Sequence, residues 1–227
     1  MKKETKHKIF AIIPAYEEAD SIGNVISEVT PYVDKALLID DGSSDGTIDE
    51  AKKAGAFSIR LPLNLGQGAA LRTGFIIAIR EKADIIVTLD ADGQHDPNEI
   101  PNLTKFIENG KADIVVGSRF LGNHTSTLVR YLGIQFFTWL VRKLVGLKIS
   151  DLTCGFRAYR REVLENLMLE QDQYSAPELL IKGKLAGFKI IEVPVNIKQR
   201  EFGKPKKRLS KYWYGLLKLI FSSISEK

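Results

Sequence analysis

The sequence predicts an α/β fold with a mostly parallel central sheet flanked by helices. Two observations carry this expectation. Short apolar runs alternate with helical patterns through the first 120 residues, and several of those runs end in acidic, glycine-containing words that open the next helix. Strand, helix, strand, helix in succession implies parallel strands joined by right-handed crossovers.

The elements follow in order. Lys8–Ile13 reads as a buried strand ended by Pro14. Ile22, Val25, Ile26 and Val29 fall at i, i+3, i+4 and i+7, a helix with Asp20 as its N-cap. Ala36–Ile39 and Phe57–Leu61 are the next buried strands, and Ala70–Lys82 is a helix. Ile85–Leu89 and Ile114–Val116 are further strands; between them Pro97, after Asp96, starts a helix that Gly110 stops. Beyond Phe120 comes a polar loop, Gly122–Thr127, then an aromatic-rich amphipathic helix over Leu128–Leu147. Helices are expected over Arg161–Leu169 and Pro177–Leu185, and a strand over Ile190–Val195. A basic loop, Gln199–Lys207, leads to a closing amphipathic helix over Leu209–Ile224. No Pro- or Ser-rich linker divides the chain, so residues 1–227 are expected to form one domain with halves at about 8–120 and 121–227.

Composition narrows the function. The 33 Lys and Arg exceed the 28 Asp and Glu, a net charge of +5 that favours anionic partners such as nucleotides, phosphates or an anionic membrane. One Cys excludes an internal disulfide framework and a Cys-rich zinc site, and fits a reducing compartment. The apolar run after the basic start is only Ile9–Ile13, too short for a signal peptide. No stretch is apolar enough for an ordinary transmembrane helix, although Tyr131–Val141 and Leu209–Ile224 can lie on a membrane.

The strongest chemical word is Asp90-Ala-Asp-Gly-Gln-His95 at the end of a strand. Residues i, i+2 and i+4 of an extended chain face one way, so Asp90, Asp92 and Gln94 can converge as oxygen ligands. Hard oxygen ligands suit Mg²⁺ or Mn²⁺, and ligands of open α/β sheets bind beyond the carboxyl ends of the strands. The plainer alternative is a polar turn that caps the next helix. His95 is expected at the helix entry or behind the ligands. Asp40-Asp-Gly-Ser-Ser-Asp-Gly-Thr47 is a second strand end, with Asp45 or Thr47 capping a helix and Asp41 facing a ligand. Pro14-Ala-Tyr-Glu-Glu18 offers Tyr16 to a flat base and a glutamate to a sugar hydroxyl. Asn64-Leu-Gly-Gln-Gly-Ala-Ala70 reads either as a phosphate cradle or, the favoured reading, as close helix packing. The basic residues include Arg119 at a strand end, Arg130, and the cluster Arg200, Lys204, Lys206, Lys207 and Arg208. No helix-turn-helix, zinc finger or aromatic RNA platform accompanies them, so nucleic acid is not the expected partner.

Together these words resemble the family 2 glycosyltransferases of the GT-A fold, and within them the polyprenyl-phosphate sugar synthases of the dolichol-phosphate mannosyltransferase group. Gly117-Ser-Arg-Phe120, Asp151-Leu-Thr-Cys-Gly-Phe-Arg157 and Glu192-Val-Pro194 complete the match, which spans about residues 9–210. The resemblance implies a nucleotide-sugar half at about 8–120 and an acceptor half at about 121–227. It implies that Pro14, Tyr16, Glu18, Ile39, Asp41, Ala91 and Asp92 line the nucleoside pocket. Asp92 and Gln94, with Asp90, would hold Mg²⁺ or Mn²⁺ on the donor diphosphate. Arg119, Arg200 and Lys206 would meet donor or acceptor phosphates, with Arg130 beside the acceptor.

The reaction so implied is inverting transfer of a hexose, mannose or glucose, from a GDP- or UDP-linked donor to a polyprenyl phosphate. That acceptor is already ionised near neutral pH and needs no strong base; alignment of two anions and a held leaving group suffice. The work would be done peripherally, on the cytoplasmic face of a membrane. A hydroxyl acceptor, as in polysaccharide synthesis, would need a base, for which Glu178 and Asp151 are the candidates. A nucleotide-binding scaffold without catalysis is the third reading.

Overall fold

The computed structural model describes residues 7–122, 128–167, 169–172 and 175–198. The expected basic loop and closing helix, with Arg200 and Lys206, lie outside the described residues.

Seven strands form one sheet in the order β3-β2-β1-β4-β6-β5-β7. They are β1 (Ile9–Ala15), β2 (Lys35–Asp40), β3 (Phe57–Arg60), β4 (Ile85–Thr88), β5 (Ile114–Ser118), β6 (Arg157–Arg160) and β7 (Ile190–Pro194). The helices are α1 (Ala19–Val29), α2 (Thr47–Lys53), α3 (Gln67–Arg80), α4 (Ile100–Glu108), α5 (Leu128–Val145), α6 (Arg161–Asn166) and α7 (Ser175–Leu185). β1 pairs in parallel with β2 and β4, β2 with β3, and β5 with β7.

Successive residues of a strand point to opposite faces, and here both faces are covered. Phe10 and Ile12 of β1 enter a core with Phe75 of α3, Phe137 of α5 and Leu179 of α7. Ala11, Ile13 and Ala15 enter a second core with Ile22 and Ile26 of α1 and Leu103 of α4. That double burial is why the strands read as unbroken apolar runs.

Several expectations need correction. β6 was not foreseen. It runs antiparallel to both β4 and β5 and separates them. Its residues, Arg-Ala-Tyr-Arg, lack an apolar run, yet Arg157 and Tyr159 are fully buried. β3 is an edge strand and only half-buried. Pro14 does not end β1; it sits inside the strand, opposite Ile39. Asp20 lies within the first turn of α1, whose N-cap position is Glu18. Asp96 does cap its helix, accepting from the Asn98 amide.

α5 is not amphipathic in the expected sense. Phe137 and Val141 are buried in the α3-side core, and Ile134 and Thr138 are buried as well, while Leu132, Phe136, Trp139 and Leu144 are exposed. Among the described residues no helix is long and apolar enough to cross a membrane.

Candidate active site

The sheet order sets the site. From β1 the chain winds outward through β2 and β3, then returns across the sheet to β4 on the other side of β1. A crevice opens beyond the carboxyl ends of the strands where the winding reverses. The words after β1, β2 and β4 all meet there.

The first two words are locked together by hydroxyl groups. Ser43 Oγ accepts from the Glu17 amide at 2.8 Å, and Thr47 Oγ1 accepts from the Glu18 amide at 2.9 Å. Glu17 is held at φ +51°, a left-handed conformation that costs energy for a non-glycine residue and persists only when its surroundings impose it. Asp45 ties both helix starts by accepting from the Ala19 and Thr47 amides. Burial alone would raise its pKa, but hydrogen bonds from Thr47 and these amides hold it below the ordinary carboxylate value. Tyr16 is exposed beside this knot.

Asp41 departs from its expected role. It is buried, and its two oxygens accept from the Leu65 and Gly66 amides, each at 2.8 Å. Its carboxylate therefore anchors the loop before α3 rather than facing outward. Asp40 is likewise internal, taking the Ser43 amide at 2.9 Å and Arg60 Nε at 2.6 Å. Ile39 is fully buried in the α3-side core and offers no side-chain surface. Ala91 is also buried, its carbonyl held by Ser21 Oγ at 2.8 Å.

Asp90, Asp92 and Gln94 do not lie on extended chain. The backbone turns over residues 91–93, with Gly93 at φ +73°. Asp92 Oδ1 accepts from the Gln94 amide at 3.1 Å, and the Gln94 side chain reaches the Lys198 carbonyl at 3.4 Å. The alternation argument thus fails, but the turn still presents two carboxylates at the mouth of the crevice. Asp90 keeps 39% of its side chain open and makes no ion pair with a Lys or Arg of the described residues. Among those residues no group of three His, Cys, Asp or Glu side chains is placed to hold a metal ion. Asp90 and Asp92 can supply part of a shell, which fits a hard cation that takes its other oxygens from a diphosphate and water. His95 stands behind the turn, as expected. Its Nδ1 accepts from the Asp90 amide at 3.1 Å, its ring stacks on Phe156, and burial lowers its pKa.

The glycine-rich loop packs rather than cradles. A Cβ on Gly66 would stand 2.7 Å from the Asp172 carbonyl, and one on Gly68 would collide with the Gln171 carbonyl. The Gly68 amide donates to the Asp172 carbonyl at 2.6 Å, so another part of the backbone occupies this end of α3.

Arg119 was expected as a surface cation for phosphate. It is buried, and its Nε and Nη2 donate to the two oxygens of Asp151 at 2.6 and 2.8 Å, with Thr153 Oγ1 also accepting from Nη2 at 2.5 Å. Burial alone would lower the pKa of this guanidinium, but its hydrogen bond and charge interaction with Asp151 raise it instead. Asp151 is set in place by Glu192 of β7, which accepts from the Ser150 and Asp151 amides at 2.6 and 2.8 Å. The sequence offered Asp151 only as a candidate base and Glu192 only as part of a family word, not as the partner of Arg119 and the residue that sets that partner in place. The signal available was that a cation at the end of a buried strand needs an anion nearby. Arg130 belongs to the first turn of α5, and its side chain lies outside the described residues.

A sequence profile of glycosyl transferase family 2 matches residues 10–168. The chain belongs to this family. It is a glycosyltransferase of the GT-A type. The family 2 chain is 33% identical over 215 residues to polyprenol monophosphomannose synthase of Mycolicibacterium smegmatis, covering 88% of this chain and 80% of that protein. It is 33% identical to undecaprenyl-phosphate 4-deoxy-4-formamido-L-arabinose transferase of an Enterobacter species, covering 96% of this chain but 66% of that protein. It is as similar to an uncharacterised protein of Methanocaldococcus jannaschii, at 33% over 87% and 84% of the two chains. Its fold matches that of glucosyl-3-phosphoglycerate synthase from Mycobacterium tuberculosis, solved with Mn²⁺, UDP-glucose and phosphoglyceric acid. The TM-score is 0.82 at 21% identity, over 98% of this chain and 81% of that one.

Proposed function

We propose that this family 2 glycosyltransferase moves a hexose, mannose or glucose, from a GDP- or UDP-linked donor to a polyprenyl phosphate, with inversion and with a divalent ion. One observation carries the choice of acceptor. Both carboxylates that could activate a hydroxyl are fully buried and already engaged. Asp151 is paired with Arg119 and accepts from the Thr153 and Cys154 amides. Glu178 accepts from the Glu170 and Gln171 amides and pairs with Lys182 at 2.9 Å. A neutral hydroxyl would find no base in either, whereas a phosphate oxygen needs none. The two relatives named for polyprenol and undecaprenyl phosphate chemistry support the same reading.

In this reading Tyr16 stacks on the base, and the phosphate oxygen of the acceptor attacks the anomeric carbon from the face opposite the leaving diphosphate. Asp90 and Asp92, with Gln94, are the residues that would hold Mg²⁺ or Mn²⁺, which when bound neutralises charge on the diphosphate. Arg119, Arg130, Arg200 and Lys206 are assigned to the phosphates; Arg119 would serve through Nη1, since Asp151 takes Nε and Nη2. A lipid acceptor must be met at a membrane. The exposed Leu132, Phe136 and Trp139, with Lys143 over the Trp139 ring, form the surface we assign to that contact.

Incubation with labelled GDP-mannose and UDP-glucose, with undecaprenyl or dolichyl phosphate and Mn²⁺, tests the proposal. Labelled lipid that forms with the parent protein and not with Asp92→Ala is the expected result. Label that appears only on sugar hydroxyl acceptors would reject the acceptor, and absence of any product would favour the non-catalytic scaffold.

A further inference from the structure

Asp90 is held from three sides, one of them the buried His95 ring, whose Nε2 lies 4.0 Å from Asp90 Oδ2. Gln67, the first residue of α3, donates from Nε2 to Asp90 Oδ1 at 3.0 Å. Gly155, just before β6, lies against the carboxylate so closely that a Cβ there would stand 3.0 Å from Oδ1 and 3.3 Å from Oδ2. Gln67 is itself well fixed. The glycines on either side of it are wedged against residues 171–172, the Gly68 amide is bonded to the Asp172 carbonyl, and Arg72, one turn on, pairs with the Asp172 carboxylate. The packing that excludes phosphate from the start of α3 therefore aims one amide side chain at the end of β4.

We infer that Gln67 is a positioning residue: it holds Asp90 by Oδ1 so that Oδ2 is presented to a divalent cation. The choice of an amide matters. A neutral donor orients the carboxylate without neutralising it, so the full negative charge remains for the ion. A Lys in the same place would orient Asp90 equally well but compete with the metal. The inference rests on the metal reading above and adds a residue to it.

The test is Mn²⁺ binding with a nucleoside diphosphate and no acceptor, read by calorimetry or by the electron paramagnetic resonance signal of free Mn²⁺, so that turnover plays no part. Gln67→Met keeps the volume and loses the donor. Its Mn²⁺ dissociation constant should rise about 10- to 100-fold, the usual effect of removing a group that orients a metal ligand. Its metal-free melting temperature should stay close to that of the parent. Gln67→Lys keeps a donor and adds a charge, and should weaken Mn²⁺ binding at least as much. Parent-like affinity in Gln67→Met overturns the positioning role, and parent-like affinity in Gln67→Lys overturns the argument from neutrality. A parent protein that binds no Mn²⁺ with nucleotide overturns both this inference and the metal reading. Tight binding by the parent, lost in both variants, supports the inference even if the acceptor is not a polyprenyl phosphate.

Discussion

The side chains of Arg119 and Asp151 share two hydrogen bonds, at 2.6 and 2.8 Å, between a strand end and a loop 32 residues further along the chain. Both side chains are buried. Removing one partner of such a pair strands the other charge in the interior, at a cost of about 3–5 kcal/mol. Arg119→Ala is therefore expected to lower the melting temperature by roughly 6–20 °C for a chain of this size. A loss of activity with unchanged stability would show that the pair has no structural role.

The same pair fixes a pH dependence. Burial disfavours the Asp151 carboxylate, but Arg119 outweighs burial and holds its folded pKa below the ordinary 3.8. The unfolded chain thus takes up the proton first as pH falls. The contribution of the pair is complete above about pH 4 and is lost as pH drops through the folded value. In Arg119→Ala the stranded, buried Asp151 carboxyl instead takes up a proton more readily than in the unfolded chain, so the stability gap between the parent and the variant, measured by urea titration, should be widest near pH 7 and should shrink as pH falls.

Two glycines make opposite predictions. A Cβ on Gly68 would collide with backbone, which cannot swing aside as a flexible side chain can. Gly68→Ala should cost about 3 kcal/mol. Gly23 lies within α1 with nothing within 4 Å of its Cβ position, so Gly23→Ala should stabilise by about 0.5–1 kcal/mol. Chemical denaturation midpoints of the two variants check both signs.

Neighbouring phenylalanines of α5 separate membrane contact from packing. Phe136 is 54% exposed and Phe137 is 5% exposed. Phe136→Glu and Trp139→Glu should leave the fold intact, within about 0.5 kcal/mol, and abolish flotation with anionic vesicles. Phe137→Glu should unfold the protein, because it buries a charge without a partner. Flotation that persists in the double variant Phe136→Glu, Trp139→Glu would remove α5 from the membrane contact.

The strands and most helices were legible because a doubly covered sheet imposes unbroken apolar runs, and because glycine, proline and aspartate punctuate them. β6 escaped because its burial is fixed by neighbours on both sides: Arg157 reaches the Leu152 and Ala176 carbonyls, contacts that no local pattern announces. At the site, the words were legible but the use of each oxygen was not. Asp41 and Asp92 look alike in sequence, each opening a glycine-containing turn. Asp41 is spent on amides 24 and 25 residues away, while Asp92 accepts from the amide two residues on. Which lone pairs remain for a ligand depends on long-range contacts that composition and spacing do not encode. The favoured reading of the glycine-rich loop as close packing agrees with the structure, although the backbone it packs against, residues 171–172, lies far along the chain and could not be named from the loop itself.

The antiparallel β6 also orders events in time. β5 is complete at Ser118, but among the described residues its neighbours in the sheet are β6 and β7. During synthesis, Ile114, Val115 and Val116 must wait with both edges bare until Arg157–Arg160 emerges, about 2–8 s later at ~5–20 residues per second. β7, made later still, then closes the far edge. A chain cut off before β6 would therefore carry β5 as an unpaired edge, open to pairing with another chain rather than closed into its own sheet.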